Sequence, residues 1–182
     1  MALGLVLSAP AFAAQTYTLD TLHSAPTFEF KHLGITTQSG RFNRVAGSVT
    51  LDPGARKGSV TYEVETSTLN MGYGAEGPES PGYQLFDVGH FPKITFKSSK
   101  LAFDKAGVVV AADGELSLLG VTRPLTVQVQ HFQCSISDLT KKPLCTADVT
   151  ATVKRSEFGM LRFIPSISDE VQVHVPIEAY QD

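Results

Sequence analysis

Tryptophan is absent from the chain, and cysteine occurs only twice, as Cys134 and Cys145 with ten residues between them. Two cysteines make a poor zinc site, and neither Cys-x-x-Cys nor His-x-His accompanies them. Charge is scarce as well: 18% of the 182 residues are charged and the net charge is −3. That balance excludes a basic nucleic-acid binder and the highly charged composition of a disordered acidic chain. No apolar run is long enough to span a bilayer as a helix, and no long segment keeps a 3.6-residue period. The Gly-x-Ser-x-Gly and Gly-x-x-x-x-Gly-Lys motifs are missing. Hydrolases with a nucleophile elbow and phosphate-loop enzymes thereby lose their signatures.

The first stretch, MALGLVLSAPAFAA, has no charge and one polar side chain, Ser8. An apolar run from Leu3 to Leu7 leads to the small-residue site Ala11-Phe12-Ala13, the pattern of the back half of a secretory leader. The basic opening of such leaders is missing, as it would be if the true start lay upstream. The expectation is a leader over residues 1–14 and a single domain over 15–182, exported to the periplasm or secreted. An even cysteine count in an exported chain favours a disulfide, here between Cys134 and Cys145.

Alternation with period 2 dominates what remains. Val60, Tyr62 and Val64 alternate with polar residues in SVTYEVET, as do Leu125, Val127 and Val129 in PLTVQVQH. Ala147, Val149, Ala151 and Val153 do so in CTADVTATV, and Val171, Val173, Val175 and Ile177 in EVQVHVPIEAY. Each run has one apolar and one wet face, as antiparallel strands do. Eight strands are expected, at 16–32, 41–52, 58–68, 93–104, 107–118, 123–134, 145–155 and 169–179, with one short helical segment at 82–89. The fold class is therefore all-β, an eight-stranded antiparallel up-and-down barrel or a sandwich. Parity also makes a local prediction. Cys145 shares the inward parity of Val149, whereas Cys134 opposes that of Val127, so a disulfide calls for a one-residue bulge near His131-Phe132.

Two connections are long: 70–83, rich in glycine and proline, and 157–168, apolar without alternation. Both are candidates for the rim or lid of a cavity. The histidines are His23, His32, His90, His131 and His174, and no two share a spacing that fixes a metal geometry. In LHSAPTFEFKHLG, parity places Phe28, Phe30 and His32 on one face and Glu29 on the other, so Glu29 cannot act beside His32. His32 then reads either as a hydrogen-bonded core histidine or as a polar contact for the head of a buried ligand. Pro26 interrupts the ladder between His23 and His32, so a bend or bulge is expected there.

The stretches TLDTLHSAPTFEFKHLGITTQSGRFNRVAGSVTLD, HFPKITFKSSKL, GELSLLGVTRPLTVQV, VKRSEFGM and SISDEVQVHVPIEA, in that order, resemble the YceI-like family over nearly all of the mature chain. The resemblance implies a lipocalin-like barrel, often exported, that binds polyisoprenoids or other long amphiphiles in an elongated apolar cavity. It implies no catalysis. Family members often carry a histidine and basic residues before the short helical segment, where this chain has Pro81, Gly82, Tyr83 and Gln84.

The leading expectation is a binding protein, not an enzyme, that transports, stores or sequesters a long-chain isoprenoid lipid or quinone. No cofactor, metal or nucleic acid is called for, and the chain is expected as a monomer or homodimer. The candidate ligand-binding residues are Phe28, Phe30, His32 and Phe42, then Val49, Leu51, Val60, Tyr62 and Val64. Ile94, Phe96, Val127, Val129 and Val149 follow, with Phe158 and Phe163 from the second long connection. Two other readings stand beside it. The inward residues fill a closed core in a stress or interaction module without ligand, or histidines gathered across strands hold a metal for catalysis.

Overall fold

The structure is a computed structural model that describes residues 14–74 and 77–182. The leader expected over 1–14 lies, except for Ala14, outside the described residues. The strands are β1 (Gln15–Leu19), β2 (Thr27–His32), β3 (Thr36–Phe42), β4 (Val45–Asp52), β5 (Lys57–Glu65), β6 (Leu69–Asn70), β7 (Lys93–Phe103), β8 (Val109–Leu118), β9 (Val121–Ile136), β10 (Pro143–Lys154) and β11 (Glu170–Gln181). One short helix, α1 (Pro81–Leu85), lies between β6 and β7, with Ser80 capping it by accepting from the Tyr83 amide.

Eight of these strands close an antiparallel barrel in the order β1-β4-β5-β7-β8-β9-β10-β11, and β11 returns to β1 through Tyr17↔Gln181 and Leu19↔Ala179. Closure leaves the barrel itself no edge. From β4 onward neighbouring barrel strands follow one another in sequence apart from β6, joined by short turns except for the long connections before β7 and before β11. The β8–β9 turn is Leu119-Gly120, both at positive φ (51° and 73°), the geometry that matches strand twist in a two-residue hairpin.

The strand expected over 16–32 is one strand with a seven-residue break. β1 and β2 lie end to end along β11, β1 against Ala179–Gln181 and β2 against Gln172–His174. Between them, residues 20–26 leave the ladder, anchored by Ser24, whose hydroxyl donates to the Glu178 carbonyl at 3.1 Å and accepts from the Glu178 amide at 3.0 Å. Pro26, which has no amide to give, sits at the point where pairing resumes. β3 was not expected from the sequence. It pairs with β2 as a hairpin projecting beyond the barrel and is continued by β6. Gly40 lets the hairpin pass close to the Phe28 ring and the Met71 sulfur, which a Cβ there would meet at 2.5 and 2.7 Å unless those side chains shifted.

The bulge required by the cysteines is present. Gln133 pairs with Thr146 and Gln130 with Asp148, so His131 and Phe132 together oppose Ala147. His131 takes positive φ (52°), Phe132 turns inward, and Cys134 comes directly opposite Cys145, to which it is disulfide-bonded. The principal core runs along the barrel interior and includes Tyr17, Leu19, Phe42, Leu51, Val64, Phe96, Val127 and Ala179. Burying each large apolar side chain contributes roughly 1.5–3 kcal/mol. A smaller cluster of Leu118, Phe158 and Met160 packs under the second long connection. No helix among the described residues is long and apolar enough to cross a membrane.

Candidate functional site

The barrel interior is not filled. A cavity of about 470 Å³ runs along it, from Cys145 and Ala179 toward Tyr73 and Phe163. That volume lies within the range of small-molecule sites. The walls are the inward sets of the strands: Val49 and Leu51 of β4, Val60, Tyr62 and Val64 of β5, Ile94 and Phe96 of β7, Val127 and Val129 of β9, and Val149 of β10. β2 and β3 add an aromatic corner. Phe28 packs against Phe30 and Phe42 with centroid separations of 6.4 and 5.7 Å, and Phe42 meets Phe86 edge-on at 5.3 Å. Where the cavity opens, its lining residues Tyr73 and Phe163 are themselves exposed.

Three polar side chains of the wall are already engaged. The Tyr62 hydroxyl donates to the Ser24 carbonyl at 2.7 Å, and burial pushes its pKa far above the usual tyrosine value. The Tyr17 hydroxyl donates to Gln15 Oε1 at 3.0 Å. Arg155 is buried at the lid end and spends its guanidinium on backbone carbonyls. Nε donates to Ser168, Nη1 to Met160 and Arg162, and Nη2 to Ile167, at 2.9–3.3 Å. Desolvation lowers the Arg155 pKa, against the pull of nearby Asp169. Among the described residues no buried side-chain nitrogen or oxygen lacks a partner. The interior therefore offers an apolar chain a place out of water, with the polar groups of Tyr62, Tyr17 and Arg155 already spent on the protein.

Arg155 also explains how residues 157–168 hold their shape. This residue, the first after β10, ties four carbonyls of the following loop, while Asp169 accepts from the Ser156 amide and hydroxyl at 2.8 and 2.7 Å. The loop then joins the β2–β3 hairpin, with the Leu33 amide donating to the Ser166 carbonyl at 2.6 Å and the Ser168 amide to the Lys31 carbonyl at 2.8 Å. Met160, Phe163 and Ile167 of this connection border the cavity. So do Met71 and Tyr73 of the other long connection.

All the candidate residues read from the sequence border the cavity except two. His32 is exposed and pairs through its backbone with Ile167, because β2 ends there and the parity of Phe28 and Phe30 no longer points into a closed barrel. Neither role expected of its imidazole, core hydrogen bonding or contact with a buried head, fits that position. Phe158 is 4% exposed but faces Leu118 and Met160 in the smaller cluster, since the 3-10 turn Arg155–Phe158 directs it beneath the barrel end. The residues that sequence reasoning missed fall into two groups. Val171, Val173, Val175 and Ile177 of β11 line the cavity, and their alternation was signal enough to place them. Met71, Tyr73, Met160 and Ile167 come from connections without periodicity, where the sequence holds no such signal.

All five histidines are exposed. His131 Nδ1 and His174 Nε2 flank Asp148 at 3.0 and 3.3 Å on the outer surface. The Asp20, His23 and Glu178 donor atoms lie within 4.8 Å of one another, also outside the barrel. Neither group touches the cavity.

The YceI-like domain profile matches residues 17–179. A UPF0312 protein of Shewanella oneidensis is 35% identical over 132 residues, which are 69% of this chain and 68% of that protein. A UPF0312 protein of Shewanella putrefaciens is 33% identical over 97% of this chain and 93% of its own length. Among solved structures, BcnA of Burkholderia cenocepacia superposes with a TM-score of 0.70 at 21% identity, covering 88% of this chain and 98% of BcnA. A polyisoprenoid binding domain of Saccharophagus degradans, implicated in plant cell wall breakdown, superposes with a TM-score of 0.66 at 16% identity, covering 92% and 99% of the two chains. By this profile and these relatives the chain belongs to the YceI-like family.

Proposed function

We propose that this protein is an exported binding protein that shelters the tail of a long-chain amphiphile, a polyisoprenoid or an isoprenoid quinone, in its barrel cavity. The head group stays at the rim beside Tyr73 and Phe163. One observation carries the reading: an apolar cavity along the barrel in which Tyr62, Tyr17 and Arg155 spend their polar groups on the protein itself. Such a wall rewards a hydrocarbon by roughly 0.8 kcal/mol for each buried CH2 and discriminates against a buried polar end. The Saccharophagus degradans domain with the same barrel is named for polyisoprenoid binding, which supports this class of ligand. The apolar leader and the Cys134–Cys145 disulfide support export to the periplasm or beyond. Phe28, Phe30, Phe42, Val127, Val129 and Val149 are assigned tail contacts on this reading, and His32 and Phe158 none. The role is binding rather than catalysis.

Native mass spectrometry of the protein purified from its own host tests this. The expected result is a stoichiometric adduct that lipid extraction identifies as a long-chain amphiphile. Ligand-free masses from repeated gentle preparations would overturn it.

A further inference from the structure

We infer that the rim of the cavity docks on an anionic phospholipid bilayer, with the β2–β3 hairpin tip and the 159–168 loop as the membrane-facing surface. The purpose of such docking rests on the cavity reading, but the surface is argued from independent observations.

The first is where the exposed apolar side chains lie. Of nine large hydrophobic residues exposed among the described residues, Leu33, Ile35, Tyr73, Leu161 and Phe163 belong to the three segments at the opening. Leu33 and Ile35 are 62% and 81% exposed at the hairpin tip, and Leu161 and Phe163 are 64% and 46% exposed in the loop. The tip and loop form one surface, stitched by the Leu33–Ser166 and Lys31–Ser168 backbone hydrogen bonds and the His32–Ile167 bridge. Exposed apolar groups gathered on one face of a soluble barrel mark an interaction surface. Here that surface is continuous with the cavity, because Phe163 belongs to both.

The second observation is charge. The chain as a whole is net negative, at −3. Yet from Lys31 to Arg41 the charged side chains are only Lys31 and Arg41, with His32 as a titratable neighbour, and from Gly159 to Ser168 the charged side chain is Arg162. Neither stretch holds an acid, though Glu157 and Asp169 flank the second. In the sequence the acids nearest Tyr73 are Glu76 and Glu79, both after it. Arg162 stacks over the Phe163 ring at 4.6 Å, so a cation and an aromatic present together. Leucine, isoleucine and phenylalanine beside lysine and arginine, with tyrosine at the edge, match the interface of an anionic bilayer: apolar groups reach the acyl boundary while cations meet phosphate. A mouth docked in this way would let a tail pass between bilayer and cavity without crossing water.

Sedimentation with sucrose-loaded vesicles of phosphatidylglycerol and phosphatidylethanolamine tests the surface, with pure phosphatidylcholine vesicles as control. Wild-type protein is expected to bind the anionic vesicles, to be released by salt, and to bind phosphatidylcholine weakly. The tip variant Leu33→Asp/Ile35→Asp should bind roughly tenfold more weakly, and Arg162→Glu should lose much of the salt-sensitive part. Circular dichroism melts and binding of detergent-dispersed farnesol keep folding and the cavity under view, and both should survive in the tip variant. Failure of the wild type to bind anionic vesicles, or equal binding by the tip variant, overturns the docking surface. If farnesol still binds in that case, the cavity reading stands. Light scattering that shows a dimer broken by the tip variant would make the rim a self-interface instead and would also overturn the proposal.

Discussion

The Tyr62 hydroxyl donates a 2.7 Å hydrogen bond across the barrel interior to the Ser24 carbonyl. Ser24, fully buried, is itself tied to both backbone groups of Glu178. One phenol thus pins the break between β1 and β2 to the wall formed by β5, at a buried site. Tyr62→Phe should leave the Ser24 carbonyl buried without this donor and cost about 1–3 kcal/mol. Urea unfolding should show a lower midpoint at unchanged slope. Because the hydroxyl is already spent, binding of an apolar tail should persist. An unchanged midpoint would contradict this role.

Arg155 tests how the lid is held. Its planar fork serves carbonyls of Ser168, Met160, Arg162 and Ile167, and lysine cannot match that geometry with a single ammonium. Arg155→Lys should keep the barrel but destabilise the loop by about 2 kcal/mol. Hydrogen exchange should report this as faster exchange at the Ile164 and Ile167 amides, with strands β7 to β9 protected as before. Uniform loss of protection across the barrel would mean that Arg155 supports the whole fold rather than the lid.

The outer-surface histidines give a pH dependence with a definite sign. The Asp20 hydrogen bond and charge, with Glu178 beyond, raise the His23 pKa above 6.5. A raised folded-state pKa means that the protonated form favours the folded chain. This contribution is therefore complete below pH 6.5 and fades as pH rises through the folded value. Asp148 behaves in the opposite sense. The His131 hydrogen bond is the main cause holding its carboxyl below 3.8, so its contribution is present above that pH and lost on acidification. NMR titration should place the His23 midpoint above 6.5 and move it down in Asp20→Asn. A midpoint unmoved by that substitution would remove the pairing.

Most of the barrel was legible because period-2 alternation is a local signal that survives into the fold. The inward sets at Val60 to Val64 and Val127 to Val129 became cavity wall as read. Even the bulge at His131 followed from counting parity between two cysteines. The N-terminal strand shows where that reasoning ends. Thr27 to His32 alternates cleanly, but alternation says nothing about how far a strand stays beside its neighbour. β2 leaves β11 after Glu29 and runs out as a hairpin, so His32 finishes in solvent. Phe158 and Met160 were illegible for a different reason: a 3-10 turn and an arginine clamp set their directions, and neither leaves a period in the sequence.

Filling the cavity separates wall residues that serve a ligand from those that only pack. Val149 lies opposite Val129 in the ladder, and both face the empty interior. Val149→Phe adds volume where space exists, so stability should hold or rise by about 1 kcal/mol, as cavity-filling changes do. Copurified lipid should fall to a small fraction of the wild-type amount. Loss of stability without loss of lipid would mean that the space around Val149 is not the ligand's.

The central claim is that the apolar cavity holds a tail, and binding as a function of tail length reads it directly. Delipidated protein is titrated with isoprenoid alcohols of increasing chain length under one detergent condition. Affinity should climb with each added unit, by at most about fourfold per newly buried CH2, and level off once the tail fills the cavity. Affinity that is independent of chain length from the shortest alcohol onward would contradict the account.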